Sequence, residues 1–437
     1  LQQISQENQR TVSASVSDAQ AAPVKVAILG FGTVGSSVAR ILCDAKPQGV
    51  ELTHIFNRSV ARKKVDWVPA GVVWTEKIDD VLSSPVDVVL ELAGGLDPAG
   101  EWVRRALEAG KSVVTANKKL IAEHGIALDR LARSNGCHLF YGAAVAGGVP
   151  VIPGLQQGLA GDHIQRIEGI LNGTCNFILS KMEEGAEFTP VLKEAQALGY
   201  AEADPTEDVG GFDARAKLVI LSRIALRADL TTSEVPCKPI TEIAAVDFAY
   251  ARELECTIRQ ISRAELRGSE VLATVGPMLV PQASPLAWSR GTENMVLVGG
   301  TYGGDVVFSG HGAGGHPTAV AVVSDLLAIV HGSRTIDLPS KKAGVSGDFL
   351  LRHYIRFIVK DRPGIIAQIA GALAEQEINI HAILQKPGHT KANLPFVVIV
   401  EPCPSSSLKR ALEKIATLDC LLEPTLDLQI LEPEVEV

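Results

Sequence analysis

The sequence predicts an α/β protein of three units: a doubly wound parallel sheet, a middle α+β unit and a ferredoxin-like unit at the end. Three observations carry this reading. From Val24 to Val145, short β-branched runs alternate with helical patterns, the signature of parallel strands joined by helical crossovers. Beyond about Val151 the apolar alternation lengthens into stretches that read as antiparallel sheet. From about His353 the order is strand, helix, strand, strand, helix, strand.

Taken in order, Val24 to Leu29 is a strand, Gly30-Phe31-Gly32-Thr33-Val34-Gly35 a glycine turn, and Val38, Ile41 and Leu42 mark the next helix. Glu51 to Phe56, Val86 to Ala93, Lys111 to Thr115 and His138 to Val145 are further strands. Asp97 and Pro98 read as N-cap and N1 of a helix carrying Trp102, Val103, Ala106 and Leu107 and ending at Gly110. Leu120 to Arg133 is another helix. In the middle unit Ile164 to Leu171 is a strand, while Cys175 to Met182, Pro190 to Leu198 and Ala214 to Ala225 are helices. Val271 to Val280 and Met295 to Gly299 belong to antiparallel sheet. The glycine-rich stretch Gly310 to Thr318 leads into an apolar helix, Ala319 to Val330, expected to pack back on the first unit. Ser333 to Asp348 reads as a Gly, Ser and Lys linker. In the terminal unit the strands are Tyr354 to Lys360, Ile378 to Leu384, Pro395 to Val400 and Leu421 to Leu431, and the helices Ile365 to Gln376 and Ser406 to Thr417.

Composition bounds the function. The chain has 437 residues, 46% of them hydrophobic, enough for two or three real cores. A net charge of -9 and the lack of a basic tract interleaved with aromatics argue against a nucleic-acid surface. No apolar run reaches the ~18 residues of a membrane span. The first 22 residues are rich in Gln and Ser, with neither a basic nor an apolar signal region, and read as a disordered extension. Seven scattered cysteines without a CxxC suit a reducing cytoplasm. The histidines form no HxxxH or HExxH, and His163 reads as structural.

Chemistry concentrates between Gly199 and Lys217. Asp213 and Lys217 lie four apart on a helix, so their side chains project about 40° apart on one face. A solvated ion pair is the plain reading of such spacing. Here Leu218, Val219, Ile220 and Leu221 follow at once, placing the lysine at the mouth of a buried helix where desolvation lowers its pKa. Glu202, Asp204, Glu207 and Asp208 crowd the preceding loop, which could close over a cationic substrate. Between a strand and a helix, the glycines at 30, 32 and 35 allow close approach of a pyrophosphate to helix N–H groups, or serve helix-on-strand packing. After the second strand come Asn57-Arg58-Ser59 and Arg62-Lys63-Lys64, with no acid to take ribose hydroxyls. That favours NADP over NAD, unless the basic loop is merely solvated. Lys118, at the end of a strand of the first sheet, reaches a ligand or caps the turn. Asn172-Gly173-Thr174-Cys175-Asn176 opens a helix whose N–H groups and Thr174 hydroxyl hold a carboxylate, or is a simple cap.

Together these residues resemble the homoserine dehydrogenases that carry a C-terminal ACT regulatory domain. The likeness runs from Val24 to Leu431 through GFGTVG at 30–35, TANKKLIA at 115–122, GGVPVI at 147–152, NGTCNFIL at 172–179, GYAEADPTEDVGGFDARAK at 199–217 and GAGGHPTA at 312–319. The resemblance implies a Rossmann-type dinucleotide-binding domain over 23–150 with 312–340 packing back, and a catalytic and dimerisation domain over 151–311. It also implies a linker at 341–352 and an ACT domain over 353–432. It implies reduction of L-aspartate 4-semialdehyde to L-homoserine with NAD(P)H, on the route to threonine, isoleucine and methionine. Lys217 would be the proton donor, oriented by Asp213 and assisted by Lys118. Glu202 would bind the substrate ammonium with Tyr200 and Asp208, and Thr174 would lie near the substrate. Gly30, Phe31, Gly32, Thr33, Val34, Gly35, Arg58, Ala93, Lys118 and Gly314 would contact the cofactor. The chemistry agrees, because hydride addition leaves an alkoxide that needs a cation or acid as it forms.

The chain departs from the family at Gly142, where a glutamate before the Val145-Ala146-Gly147-Gly148 segment helps hold a sodium ion. The carbonyls of Val145, Gly147 and Val149 remain, without that charge. In the terminal unit Asp361, Gly364 and Asn379 stand where ACT domains bind an effector amino acid between paired domains, for which threonine is the natural candidate. An ACT unit that serves only assembly is the alternative. A homodimer or homotetramer is expected. Two rival functions remain: a catalytically inert sensor of cofactor or threonine, and another amino-aldehyde reductase of the same architecture. The intact Asp213, Lys217 and Glu202 oppose the sensor.

Overall fold

A computed structural model describes residues 22–333 and 341–431; most of the N-terminal extension, part of the linker and the last residues lie outside them. β1 (Val24–Leu29), β2 (Val50–Phe56), β3 (Val73–Thr75), β4 (Val88–Glu91), β5 (Ser112–Thr115) and β6 (Leu139–Phe140) form a parallel sheet in the order β3-β2-β1-β4-β5-β6. This is the doubly wound order, with its switch point between β1 and β4.

Alternation along the strands sorts their side chains into two cores. Ala27, Leu29, Val89 and Val113 pack with Trp102, Val103 and Leu107 of the helix Ala99–Glu108 and with Leu120 and Leu128 of the helix Lys118–Ser134. Val26, Ile28, Val88, Leu90 and Val114 face the other way. They pack with Val38 and Leu42 of the helix Thr33–Ala45 and with Val322, Val323 and Leu326 of the helix Gly315–Val330. That last helix reaches the sheet from beyond the middle unit. Its fully buried Val322 and Leu326 each contribute on the order of 2 kcal/mol.

The predicted strand over His138 to Val145 is cut to Leu139–Phe140. Beyond it the chain turns away because the Gly142 N–H donates to Asp325 Oδ2 at 2.7 Å rather than to a neighbouring strand.

The middle unit is built on β7 (Ile164–Ile170), the short β8 (Ala228–Asp229), and the long hairpin β9 (Cys256–Arg267) and β10 (Glu270–Pro281), followed by β11 (Glu293–Gly300) and β12 (Gly304–His311). β12, β11, β7, β9 and β10 are neighbours in that order, all antiparallel. β9 escapes the sequence reading because Arg259, Gln260, Arg263 and Glu265 break its apolar pattern. In the fold Arg259 pairs with Glu183 at 2.8 Å, and Arg263 with Glu168 at 3.3 Å and Glu265 at 3.0 Å.

Within the expected linker, β13 (Lys341–Lys342) pairs with β8, and β14 (Gly344–Ser346) adds to the β10 edge. β15 (Leu350–Val359), β16 (Ile380–Leu384), β17 (Leu394–Pro404) and β18 (Leu426–Ile430) form the terminal antiparallel sheet, in the order β18-β15-β17-β16. The helices Ile365–Ala374 and Ser405–Ile415 cover one face. Tyr354, Val397, Ile399, Leu426 and Leu428 on the other face share a core with Phe248 and Tyr250 of the middle unit. β18 also pairs with β10 through Met278 and Gln429, so the two sheets are continuous.

Candidate active site

The helix Phe212–Ala225 carries Asp213 in its first turn and Lys217 one turn on, both buried, at 4% and 9% exposure. Lys217 Nζ lies 2.8 Å from Asp213 Oδ2 and donates to the Leu171 carbonyl at 2.6 Å, at the end of β7. Lys118, first residue of the helix after β5, reaches across from the nucleotide-binding unit to pair with Asp213 Oδ1. Burial alone would raise the Asp213 carboxyl, but the two ammonium groups hold it well below the usual carboxylate range. Burial lowers the Lys217 ammonium, Asp213 opposes that, and the like charge of Lys118 adds to it. Burial also acts on Lys118, yet the charge of Asp213 wins and raises it. One carboxylate between two ammonium groups leaves the cluster a net positive charge.

The acidic loop folds against this cluster. Asn172 caps the helix Gly173–Glu183, accepting from the Cys175 N–H at 2.8 Å, and donates to Asp208 Oδ1 at 2.7 Å and to Asp213 Oδ2 at 2.9 Å. Burial raises the Asp208 carboxyl and the Asn172 hydrogen bond opposes it. The Thr174 hydroxyl donates to the Tyr200 carbonyl at 2.7 Å, and the half-exposed Tyr200 ring meets Phe177 edge-on. Glu202 is exposed, and its carbonyl accepts from Gln196 Nε2 at 3.1 Å. Thus Lys118, Lys217, Asp213, Asp208 and the start of the Thr174 helix meet, while Tyr200 and Glu202 stand on the exposed loop beside them.

A dinucleotide cradle opens at the β1/β4 switch point. A Cβ on Gly35 would lie 2.0 Å from the Gly30 carbonyl oxygen, so the turn closes only with glycine there. A Cβ on Gly32 would meet nothing within 4 Å, so the space beside the helix N-terminus is clear of protein atoms there, where free N–H groups favour an anion. Thr33 is exposed beside it and Val34 half-buried. The Phe31 ring is buried against Trp67 and Trp74, which leaves its backbone for a cofactor. Ala93 and Gly94 are exposed after β4, held there by Glu91, whose Oε1 accepts from both N–H groups at 2.9 Å. Gly314 and its neighbours arrive from the third side, where a Cβ on Gly315 would lie 2.7 Å from Ser37 Oγ. Arg58, Arg62, Lys63 and Lys64 are exposed past β2. Asn117, which caps the Lys118 helix at Leu120 N–H, donates to the Gly95 carbonyl at 2.6 Å and so ties the cradle to the lysines.

Glu91, Asn117 and Asp325 were not singled out by the sequence. Glu91 and Asp325 left a signal, each the charged residue in an apolar run. Asn117 left only the general preference of asparagine for N-caps. Gly142 does lack a carboxylate of its own, but the Asp325 carboxylate occupies the space where its Cβ would project, 2.8 Å from Oδ1. Of the expected sodium donors, the Val149 carbonyl accepts from the Val151 N–H at 2.8 Å, and Gly147, at φ 50°, is pressed against the Gly312 carbonyl. The Asp325 carboxylate is thus engaged by the Gly142 N–H, and among the described residues no three His, Cys, Asp or Glu side chains form a metal cluster.

The terminal unit holds a pocket of about 440 Å³ lined by Asp361, Gly364, Ile366, Gln385 and Phe396 among others. Asn379 is exposed and lies outside its lining, its carbonyl accepting from the Glu401 N–H at 2.9 Å. Among the described residues no helix is long and apolar enough to cross a membrane.

Three family profiles match the chain: "Homoserine dehydrogenase, NAD binding domain" over residues 30–142, "Homoserine dehydrogenase" over 150–327 and "ACT domain" over 353–420. A homoserine dehydrogenase of Neisseria gonorrhoeae is 37% identical over 422 residues, covering 92% of this chain and 97% of the relative. One from Bacillus subtilis is 36% identical over 393 residues, covering 86% and 91%. The crystal structure of a homoserine dehydrogenase from Thiobacillus denitrificans superposes with a TM-score of 0.87 at 34% identity, over 94% of this chain and 98% of that one. A hyperthermophilic archaeal homoserine dehydrogenase mutant, solved in complex with NADPH, gives 0.62 at 26% identity, over 72% and 100%.

Proposed function

We propose, from the premise that this chain belongs to the homoserine dehydrogenase family, that Lys217, Asp213 and Lys118 carry the proton chemistry interconverting L-aspartate 4-semialdehyde and L-homoserine. The observation behind this is the buried Asp213 carboxylate clamped between two ammonium groups beside the dinucleotide cradle. NAD(P)H held at the glycine turn would supply the hydride for the aldehyde carbon. Lys217 gives its proton to the carbonyl oxygen as negative charge develops there, and in the reverse direction takes the proton of the hydroxyl. The lowered basicity of this buried lysine suits it to both directions. Lys118 adds a second positive charge, and Asp213, itself buried, keeps the two ammonium groups together where charge develops.

Asp208 and Glu202, with Tyr200 beside them, hold the substrate ammonium, and Thr174 lines the same pocket at the start of its helix. Gly30 to Gly35, Ala93 and Gly314 hold the cofactor, with Arg58 and the basic residues after it favouring the 2′-phosphate of NADP. The relative solved with NADPH supports that preference. The catalytic and regulatory boundaries follow the domain expectations given above. The terminal pocket takes threonine, the chain assembles as a dimer or tetramer, and its free cysteines suit the cytoplasm.

The test follows NADPH oxidation with aspartate semialdehyde for the wild type and for Lys217→Ala. The wild type is expected to turn over, and the variant to bind NADPH normally while kcat falls on the order of 10²-fold or more. A folded wild type without turnover would sink the enzymatic reading, and an unchanged kcat in the variant would move the proton donor elsewhere.

A further inference from the structure

Asn172 follows the last residues of β7 and opens the helix Gly173–Glu183, where Asn, Asp, Ser and Thr all make good caps. Capping uses only its oxygen. Its amide nitrogen, buried at 4% exposure for the residue, spends both hydrogens on carboxylates, 2.7 Å from Asp208 and 2.9 Å from Asp213. The orientation is forced, since a flipped amide would set its oxygen against two anions and its nitrogen against the Cys175 N–H. The preceding residue, Leu171, accepts from Lys217 at 2.6 Å. Two consecutive residues therefore hold the proton donor, its carboxylate partner and a second carboxylate in one frame.

We propose that Asn172 is a positioning residue that sets Asp208 and Asp213 at a fixed spacing, both ionised, so that one grips substrate while the other holds Lys217. This rests on the roles given to Asp208, Asp213 and Lys217 above. A charge-assisted hydrogen bond is about twice as strong as a neutral one, and in a buried site the loss of its donor leaves the acceptor uncompensated. Asp208 is faced by Asp213, Lys118 and Lys217, with Glu207 and Lys119 paired at 3.2 Å beside it and the Cys175 thiol donating to its carbonyl at 3.1 Å. Among these, Asn172 is the neutral group that donates to its carboxylate, and Asp213 works against its ionisation.

Asn172→Asp keeps the cap and the shape but removes both donors and adds a third carboxylate. Asn172→Ser keeps the cap and one donor. With aspartate semialdehyde and NADPH, kcat/KM is expected to fall about 100-fold or more in the first and about tenfold in the second. The acid limb of kcat/KM should move to higher pH, because activity needs Asp208 ionised and its carboxylate has lost a stabilising donor. The NADPH Kd, read by fluorescence titration, should stay within about twofold. Wild-type kcat/KM and pH profile in both variants would overturn the proposal, as would a loss that only tracks a fall in thermal midpoint and NADPH affinity. Asp208→Asn and Lys217→Ala run alongside: if both keep wild-type rates, the site reading itself fails and takes the proposal with it. If they lose activity while the Asn172 variants do not, the proposal alone fails.

Discussion

Asp213 and Asp325 are both buried acids, and their surroundings drive them in opposite directions. Asp213 meets two ammonium groups and a donated amide hydrogen, so it stays ionised despite burial. Asp325 has the Gly142 N–H, and burial pushes its carboxyl up to about 7. Below its unfolded value of about 4 both states are protonated and Asp325 costs nothing; as pH rises toward 7 the unfolded chain ionises first and stability is lost. Above 7 the penalty is complete, on the order of a few kcal/mol. Asn at this position still accepts from Gly142 and has no charge to desolvate. Asp325→Asn is therefore expected to raise the thermal midpoint at pH 8 while leaving it nearly unchanged at pH 4. A gain of equal size at both pH values would show that Asp325 does not titrate in the fold.

At the scale of elements, the glycine turn after β1 separates packing from binding. Gly35→Ala drives a Cβ into the Gly30 carbonyl and is expected to cost about 1–3 kcal/mol of stability. Gly32→Ala meets no protein atom, so the thermal midpoint should hold while KM for NADPH rises on the order of tenfold, about 1.4 kcal/mol of cofactor binding. A lowered midpoint for Gly32→Ala, or an unmoved one for Gly35→Ala, would contradict the geometry. This turn was legible in the sequence because local spacing specifies it, and so was the Asp213 and Lys217 pair, set by one helical turn. Contacts between distant segments were not. Nothing near Lys118 announces that it crosses to Asp213, and nothing near Gly142 announces Asp325. β9 was hidden for a related reason: Arg259 and Arg263 interrupt its apolar alternation, and the carboxylates that pair with them, Glu183 and Glu168, lie far off in sequence.

For the whole molecule, the regulatory unit is built into the catalytic one. Asp247 is fully buried on the helix Ala245–Glu253, where it accepts from the Tyr354 hydroxyl at 2.7 Å and pairs with Arg356, both on β15. The Tyr250 hydroxyl donates to the Pro395 carbonyl at 3.0 Å, and Asp427 of β18 pairs with Lys238 at 2.7 Å. A chain ended after Asp348 would strip Tyr354, Val397, Ile399, Leu426 and Leu428 from Phe248 and Tyr250. It would also take from Asp247 both the Arg356 guanidinium and the Tyr354 hydroxyl. The truncated chain is thus expected to aggregate, or to unfold roughly 10 °C or more below the full chain in a thermal melt. A soluble truncation with an unmoved midpoint, altered only in its response to threonine, would show the terminal unit to be a detachable appendage. If instead the midpoint collapses, a loss of any threonine response on truncation would say nothing about where an effector binds, and the pocket beside Asp361 and Ile366 has to be tested by substitution in the intact chain.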